Sequence, residues 1–458
     1  MEENSPQQKY SFSKKILLFC LILFVFSACV RLIVWQNHES EINNALSLIV
    51  SEYKEEARTL LSGDITTFLC GKNPPSNADI LSHPPGYPIF VAIVFAIFGE
   101  SEALRIIQIL FSSFAPLLIF LISIKLFDFK VASIAGFLVA VSPQISYNSA
   151  FLLADSLSIL PILLAIYFFI KASEKELLLY GILCGVLLGI SCWFRSNGLL
   201  IPVYFAVFSV FLFSKKFRLR FALMVVMSFV AVISPITIRN YLVFHSFIPV
   251  SLGSGWNALA GIADYDKEGK FGLTNTDTGR MKYEAKIHNR PDYKLSLYNP
   301  DGIERERERT KTTIEIITSN PFWFAGVVTQ RAWMIIRLER VPPMSWTNRE
   351  ESINIFAYYL NIPLKLFQRL FITAILLPIF VAGIILLWRE KRQRKKLLIL
   401  LIVPLYYITV HAFVHTEYRY VVVIQHIFLI FAAVVLSFVI EKIRNRFFGQ
   451  TENFANSD

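Results

Sequence analysis

Long apolar blocks separated by short basic loops dominate the pattern of this chain. Each block is close to the roughly 20 residues that an α-helix needs to cross a bilayer. The pattern therefore predicts an all-α polytopic membrane protein with about ten transmembrane helices, within a range of about nine to thirteen. The predicted spans lie near residues 14–35, 103–127, 131–148, 154–171, 177–195, 198–214, 219–238, 366–388, 397–414 and 419–440.

The stretch from Gln36 to Gly99 separates the first span from the others and carries two unusual pieces. Within Ser51–Gly63, three glutamates share one helical face beside an apolar stripe, which predicts a short helix on the membrane surface. His83-Pro84-Pro85-Gly86-Tyr87-Pro88 predicts a stiff extended turn, because proline fixes its own φ and restricts the residue before it. The apolar piece Ile89 to Phe98 is too short to cross comfortably and is predicted to lie at the interface.

The basic residues predict an orientation. If the chain starts in the cytoplasm and Ile89 to Phe98 does not cross, every basic loop falls inside, as the positive-inside rule requires. These loops are Lys14-Lys15, Lys125 with Lys130, Lys171 with Lys175, Lys215 to Arg220, Arg389 to Lys396 and Lys442 to Arg446. We therefore expect both termini in the cytoplasm.

The same orientation gathers the other polar residues of the apolar blocks at outer helix ends. The residues that fall there are Asp155, Arg195, Arg239 with Asn240, and His415 to Arg419, together with Glu52 and His83 of the first loop. Ionised groups at membrane depth are costly and usually face a cavity. One polar centre facing away from the cytoplasm is the economical interpretation.

Changes in composition predict the domain organisation. Residues 245–365 turn polar and glycine-bearing, which predicts a large outer region, and we expect the alternating charges of Glu304 to Arg309 to be solvated. The predicted units are a cytoplasmic tail over 1–13, an N-terminal transmembrane module over 14–244 that includes the outer loop 36–101, the outer region 245–365, C-terminal helices over 366–440 and a tail over 441–458.

Composition narrows the function classes. The 458 residues are 55% hydrophobic and 17% charged with a mean hydropathy of +0.52, which is too apolar for a soluble enzyme of this length. The net charge of +11 resides in the short basic loops, so it indicates orientation in the membrane and argues against nucleic-acid binding. Four of the five cysteines lie in apolar runs, which gives no disulfide framework or zinc spacing. Lys14-Lys15 before an apolar run imitates a signal peptide, but the weak cleavage signal favours a retained first helix.

A series of landmarks occurs in a characteristic order along most of the chain. The landmarks are Arg31; Glu52-Tyr53 before Ala57 and Leu60 to Gly63; His83 to Pro88; Phe98-Gly99 followed by Arg105; Ser142-Pro143 leading to Leu153 to Leu157; Gly181 to Gly189 with Phe194-Arg195; Ile238 to Tyr241 with Gly253 to Asn257; Asn320-Pro321; and Glu417 to Tyr420. In this order they resemble the membrane glycosyltransferases of the GT-C superfamily, specifically the family 39 or protein-mannosyltransferase-like group. The resemblance implies an outward-facing enzyme that takes a sugar from a polyprenyl-phosphate carrier and passes it to a lipid, glycan or protein acceptor, typically with inversion.

One departure from the family concerns the catalytic base. Such enzymes usually carry an acidic residue eight positions before the alanine of the first-loop helix, and that position here is Ile49. Glu52 matches a second, less constant acidic position, whereas Glu41, or less favourably Glu39, takes the role if the loop is shifted. Since the acceptor hydroxyl must lose a proton to a carboxylate, we predict Glu52 as the base, with Glu41 as the alternative.

Further residues are predicted to bind the donor. Cations hold the departing phosphate, and guanidinium suits this better than ammonium. The predicted phosphate ligands are Arg195, Arg239, Arg419 and His83, and the predicted substrate-positioning residues are Tyr53, Tyr87, Asp155 and Asn240. No cofactor is assigned; a divalent cation stays open because some relatives use one.

Plainer roles compete with these assignments. Glu52 also fits a solvated surface helix, and both Arg195 and Arg239 fit snorkelling to the interface. Arg419 fits an internal pair with Glu417, and Asp155 fits a cap of the helix that follows. A lipid-linked-glycan transporter or a non-catalytic lipid-binding relative are the rival functions. We expect a bacterial inner membrane, because a retention signal and large lumenal additions are lacking.

Overall fold

The computed structural model describes residues 14–71, 78–338 and 354–448, and no β-strand occurs in those ranges. The predicted tail over 1–13, residues 449–458 of the other tail, and residues 339–353 of the predicted outer region lie outside the described residues. The all-α membrane fold predicted from the hydrophobic pattern is confirmed.

Thirteen α-helices form the N-terminal part of the described chain. They are α1 (Lys14–Asn37), α2 (Glu39–Asn44), α3 (Ser47–Leu61), α4 (Ile65–Cys70), α5 (Gly86–Phe98), α6 (Ala103–Ser112), α7 (Ala115–Leu126), α8 (Phe129–Val141), α9 (Pro143–Ala150), α10 (Asp155–Lys175), α11 (Leu178–Phe194), α12 (Ile201–Leu212) and α13 (Arg218–Phe244).

Eight more follow in the described ranges. They are α14 (Ser254–Ala263), α15 (Asp277–Ile287), α16 (Gly302–Ser319), α17 (Pro321–Ile336), α18 (Ile355–Gln368), α19 (Thr373–Arg389), α20 (Arg394–Phe413) and α21 (Tyr418–Phe448).

All ten predicted spans are helical, but the predicted number of about ten crossings is not confirmed. In the described ranges, six stretches are long and apolar enough to cross, namely 14–37, 103–126, 155–175, 218–244, 394–413 and 418–446. Two bent pairs, α8 with α9 at 51° and α18 with α19 at 56°, raise the number to eight if each pair is one span. The difference arises because α11 has 17 residues and α12 has 12, both short for a full crossing.

The helix predicted within Ser51–Gly63 is present as part of α3. In α3 the side chains of Tyr53 and Ala57 are buried while Glu52 is exposed, as an amphipathic helix requires. This helix packs on α5, which begins at Gly86. The prediction of an extended turn over His83 to Pro88 is therefore wrong for its second half, because proline is tolerated in the first turn of a helix.

Small residues bring α11 and α13 close together. Gly181, Gly185 and Gly189 lie one turn apart on the face of α11 that meets α13. A Cβ atom on Gly185 would collide with the Val225 carbonyl oxygen and the Ser228 hydroxyl. The glycine stripe thus lets the two backbones approach closely, in the small-residue packing common between membrane helices.

A buried charge network holds α14, α15 and α16 together. The Glu284 carboxylate of α15 pairs with Arg305 at 2.8 Å and with Arg309 at 2.5 Å, and both guanidinium groups are buried. The expectation that Glu304 to Arg309 is solvated is wrong at Arg305, Glu306 and Arg309, which share one face of α16 and point into this network. These three helices therefore form a packed unit.

Candidate active site

An ion pair between Asp155 and Arg195 lies at the centre of the site. Asp155 is the first residue of α10 and Arg195 directly follows α11, so two antiparallel neighbours present their ends at the same level. Arg195 Nε lies 3.3 Å from Asp155 Oδ1, and the Asp155 side chain is 3% exposed. Since α10 begins without a side-chain cap hydrogen bond, the contacts of Asp155 favour the site over the capping alternative.

The start of α21 supplies a second guanidinium. Arg419 is buried, its Nε lies 2.6 Å from Glu417 Oε2, and its Nη2 donates to the Tyr420 hydroxyl at 3.3 Å. The Glu417–Arg419 pair considered from the sequence is thus present. The Tyr420 ring also stacks under Arg195, with the guanidinium carbon 4.8 Å from the ring centroid. Tyr420 therefore joins the two arginines.

Tyr53 of α3 lies close enough to both arginines for their charges to act on its hydroxyl. Its ring packs against His83 at 4.9 Å and Tyr87 at 4.7 Å between centroids. Burial raises the pKa of the Tyr53 hydroxyl, and the charges of Arg195 and Asp155 act on it as well. The structure thus brings the predicted residues of the first loop to the helix ends that carry Asp155 and Arg195.

The turn before α5 is positioned by a close backbone contact. A Cβ atom on Gly86 would lie 2.5 Å from the Trp193 carbonyl oxygen, two residues before Arg195. Only glycine permits this approach. Next to it, Tyr87 is fully buried and donates to Gln108 Oε1 at 2.6 Å. The contacts of Tyr87 fix the turn that carries His83.

Three polar atoms in this cluster are buried and have no hydrogen-bond partner within the described chain. They are Asp155 Oδ2, Arg419 Nη1 and the Tyr53 hydroxyl. Buried polar groups are normally satisfied, so an orphaned acceptor, a charged donor and a hydroxyl in one place indicate where a polar ligand binds.

The acidic candidates lie on two sides of this cluster. Glu52 is exposed, with Oε2 3.4 Å from His83 Nε2, so the predicted base and one predicted phosphate ligand are neighbours. Glu41 lies on α2 with Oε2 3.3 Å from His38 Nδ1, and its charge reaches Tyr418 beside Arg419. Ile49, at the usual acidic position, packs against the apolar cluster of α3 and α5.

Arg239 and Asn240 of α13 have different surroundings. Arg239 Nη1 donates to the Leu69 carbonyl of α4 at 3.2 Å, and its charge acts on Glu56 of α3. Asn240 is fully buried and donates to the Ile248 and Val250 carbonyls at 2.9 and 3.0 Å. These contacts fasten the chain after α13, and the predicted substrate roles of both residues stay predictions.

Charge and burial shift the pKa values of Glu417 and Glu56 in opposite directions. Burial raises the pKa of Glu417, but the neighbouring Arg419 outweighs it, so the net shift is downward and the carboxylate stays ionised. Burial and the charge of Glu52 raise the pKa of Glu56 to about 8 in spite of Arg239. Glu56 is therefore a carboxyl group that titrates near neutral pH at the edge of the site.

Sequence reasoning missed three contributors to this site. Gln108 accepts the hydrogen bond of Tyr87, and the available sequence signal for it was a glutamine within the amphipathic helix α6. Tyr420 contacts both Arg195 and Arg419. Glu56 was recognised on the helical face of Glu52, but its burial has no local signature. In the described residues, no group of three or more His, Cys, Asp or Glu side chains is arranged to hold a metal ion.

Comparison with known proteins gives one family match. A family model described as dolichyl-phosphate-mannose-protein mannosyltransferase matches residues 82–238, less than half of the chain. That range contains His83, Tyr87, Asp155 and Arg195, but neither α3 nor Arg419. Among curated protein sequences, none matches the chain significantly.

Solved structures of the Archaeoglobus fulgidus oligosaccharyltransferase share the fold. The form tethered to an acceptor peptide containing the NVT sequon is 16% identical with a TM-score of 0.53, covering 94% of this chain and 50% of that one. The complex of the same archaeal enzyme, AglB, with an inhibitory peptide and a dolichol-phosphate is 15% identical with a TM-score of 0.51, covering 97% and 52%. The apo form is 14% identical with a TM-score of 0.53, covering 97% and 52%.

Our chain thus spans about half the length of these structures. At this level of identity the likeness shows a common fold. Residues 82–238 of this integral membrane protein are thus similar to the protein-mannosyltransferase family, and its fold is similar to that of the archaeal oligosaccharyltransferase.

Proposed function

We propose that this protein transfers a sugar from a polyprenyl-phosphate-linked donor to a lipid, glycan or protein acceptor on the extracytoplasmic side of the membrane. The observation that carries this proposal is the convergence of Arg195 and Arg419 on one spot beside Asp155, with Arg419 Nη1 and Asp155 Oδ2 buried and unpartnered. A phosphate satisfies the guanidinium, and a sugar hydroxyl satisfies the carboxylate.

The proposed reaction is a displacement at the anomeric carbon. The acceptor oxygen forms the new bond to this carbon while Glu52 removes the acceptor proton, and the bond from the anomeric carbon to the phosphate oxygen breaks. Arg195 and Arg419 hold the departing phosphate. His83, beside Glu52, and Arg239, at the edge of the site, are the further proposed phosphate ligands. A single displacement inverts the anomeric configuration, and a hexosyl or pentosyl group both fit this scheme.

The proposed setting is a bacterial inner membrane with both termini in the cytoplasm. Its support is the distribution of Lys and Arg in the short loops of the sequence. The site residues then lie at outer helix ends, in reach of a lipid-linked donor in the outer leaflet.

Transfer of radiolabelled sugar from a panel of polyprenyl-phosphate sugars tests the proposal. Membranes containing wild type, Glu52→Gln or Glu55→Gln are compared, with carrier binding measured in parallel. Glu55 is an exposed glutamate of the same helix and provides the matched control. We expect transfer by wild type and Glu55→Gln, and carrier binding without transfer by Glu52→Gln. A fully active Glu52→Gln variant removes Glu52 from the base role.

A second candidate is a non-catalytic relative that binds the lipid carrier. The observation favouring it is Ile49, an apolar residue within an apolar cluster at the position where the family usually carries its acid. Carrier binding by wild type without transfer from any donor of the panel supports this reading instead.

A further inference from the structure

A groove of about 470 Å³ opens on the outer side of the protein between the segment after α14 and the helix α17. Six of its lining residues decide its chemistry, namely Asp264, Tyr265, Lys267, Gln330, Trp333 and Thr416. The Trp333 side chain is 51% exposed, and Gln330 and Lys267 are exposed as well. Aromatic surface and hydrogen-bonding groups are thus presented together.

The groove has a rigid floor. Arg331 of α17 is buried, and its Nη1 donates to the carbonyls of Ala412, Phe413 and Val414 at 3.1–3.2 Å, which are the last carbonyls of α20. A guanidinium at a helix C-terminus is favoured by the exposed carbonyls and their partial negative charge. This contact fixes α17 against the end of α20.

The groove leads to the polar centre. His415 Nε2 lies 3.1 Å from Asp264 Oδ2 at one wall, and the Thr416 hydroxyl donates to the His411 carbonyl at 2.8 Å. The next residue along the chain is Glu417, which pairs with Arg419. A molecule lying in the groove past Thr416 therefore reaches the neighbourhood of the arginines.

We propose that this groove binds the acceptor and that the acceptor is a saccharide, either free or carried on a lipid. The inference rests on the proposed function and names the second substrate of the same site. Sugar rings present apolar C–H faces to aromatic rings such as Trp333, and their hydroxyl groups both donate and accept hydrogen bonds. Asp264 accepts, Lys267 donates and Gln330 does both, so the polar set matches that pattern.

The walls of the groove favour a saccharide over a peptide. One common mode of peptide binding, the addition of a strand to an exposed sheet edge, has no counterpart in residues 14–71, 78–338 and 354–448, which contain no strand. The α17 wall has its backbone groups paired within the helix, so recognition on that side falls to the side chains of Gln330 and Trp333. Side-chain hydrogen bonds with an aromatic platform are the mode that a polyhydroxylated ring uses.

Binding to an array of short oligosaccharides, in free and lipid-tailed forms, tests the proposal without any donor. The purified full-length protein is compared with Trp333→Ala, Gln330→Ala and the control Phe322→Ala. Phe322 lies on the same helix, is 93% exposed and does not line the groove. Loss of an aromatic anchor is expected to weaken the Kd of a bound oligosaccharide roughly tenfold or more, while Phe322→Ala binds as wild type.

Each outcome decides the matter. Binding of free and lipid-tailed forms alike locates recognition in the sugar, and binding of lipid-tailed forms alone identifies a lipid-linked acceptor; both support the groove if Trp333→Ala weakens them. No binding across the array, equal binding by Trp333→Ala, or displacement by a hydroxyl-bearing peptide instead of by sugar overturns it. Because no donor is present, failure of the transferase assay leaves this result interpretable on its own.

Discussion

Replacing Glu284 by glutamine is the sharpest test of the outer region. The Glu284 carboxylate accepts from Arg305 Nη2 at 2.8 Å and from Arg309 Nη2 at 2.8 Å, with further bonds from both Nε atoms. The Arg305 and Arg309 side chains are 1% and 2% exposed, so water cannot replace the lost charge. After the substitution, Glu306 is the one carboxylate among the described residues that still accepts a hydrogen bond from Arg309.

The magnitude follows from the burial of the two guanidinium groups. Removing one partner of a buried ion pair costs about 3–5 kcal/mol, because the remaining charge is left uncompensated. Burial raises the pKa of Glu284, but the hydrogen bonds and charges of Arg309 and Arg305 outweigh it and lower the pKa overall. Its stabilising contribution is therefore present above the ordinary pKa of 4.5 and is lost as the pH falls through the lower folded value.

Thermal unfolding of the detergent-purified protein, followed by tryptophan fluorescence, measures the effect. Trp256 reports on the network directly, because its ring lies between Arg280 at 4.5 Å and Arg309 at 4.7 Å. We expect Glu284→Gln to lower the Tm by roughly 5 °C or more. The control Glu308→Gln removes an exposed pair with His288, on the helix α16 that carries Arg305 and Arg309, and is expected to change stability by less than about 1 kcal/mol. Equal unfolding temperatures for the two variants would refute the buried network.

Four further substitutions test the packing and the site. Gly255→Ala is expected to destabilise the protein by about 1–3 kcal/mol, because its Cβ would lie 2.5 Å from the Glu306 carbonyl oxygen. Gly326→Ala, where a Cβ meets open space, is expected to stabilise the protein by about 0.5–1 kcal/mol, and thermal unfolding distinguishes the two variants. Glu56, with its pKa raised to about 8, makes stability fall as the pH rises from 4.5 towards 8, and Glu56→Gln removes that fall when unfolding is measured at about pH 5 and pH 8. Asp155→Asn is expected to reduce sugar transfer roughly tenfold to 100-fold by releasing Arg195, with the circular dichroism spectrum unchanged.

The clustering of Asp155 and Arg195 could be predicted from the sequence, because it depends only on hydropathy and on the positions of the basic loops. Hydropathy places the helix ends, and the basic loops decide which ends face outward. Asp155 and Arg195 then fall at the same side of the membrane, and consecutive antiparallel helices make them neighbours. Their separation of 3.3 Å agrees with that topology.

Burial of charge was not accessible in the same way. Arg305, Glu306 and Arg309 alternate in sign along the chain, which is the pattern of a solvated helix. Their shared face is buried because Glu284, on a different helix, supplies the counter-charge. Glu56 is a similar case, since the groups that shift its pKa include Arg239, far away in sequence. Whether such charged groups are exposed to solvent or buried depends on the tertiary packing.

The identity of the proposed base depends on why Ile49 stands where the family usually carries an acidic residue. A slipped register was one explanation for Ile49, but α3 is continuous from Ser47 to Leu61, so the spacing from Ile49 to Ala57 is that of a regular helix. Leu46, with a φ of 57°, breaks the chain before this helix and puts Glu41 on the separate α2. In the proposed mechanism the acid therefore lies one turn further along α3, at Glu52, or on another helix. Glu52, the base that we propose, lies beside His83, and His83 packs on Tyr53, whose hydroxyl is within range of the charges of Arg195 and Asp155.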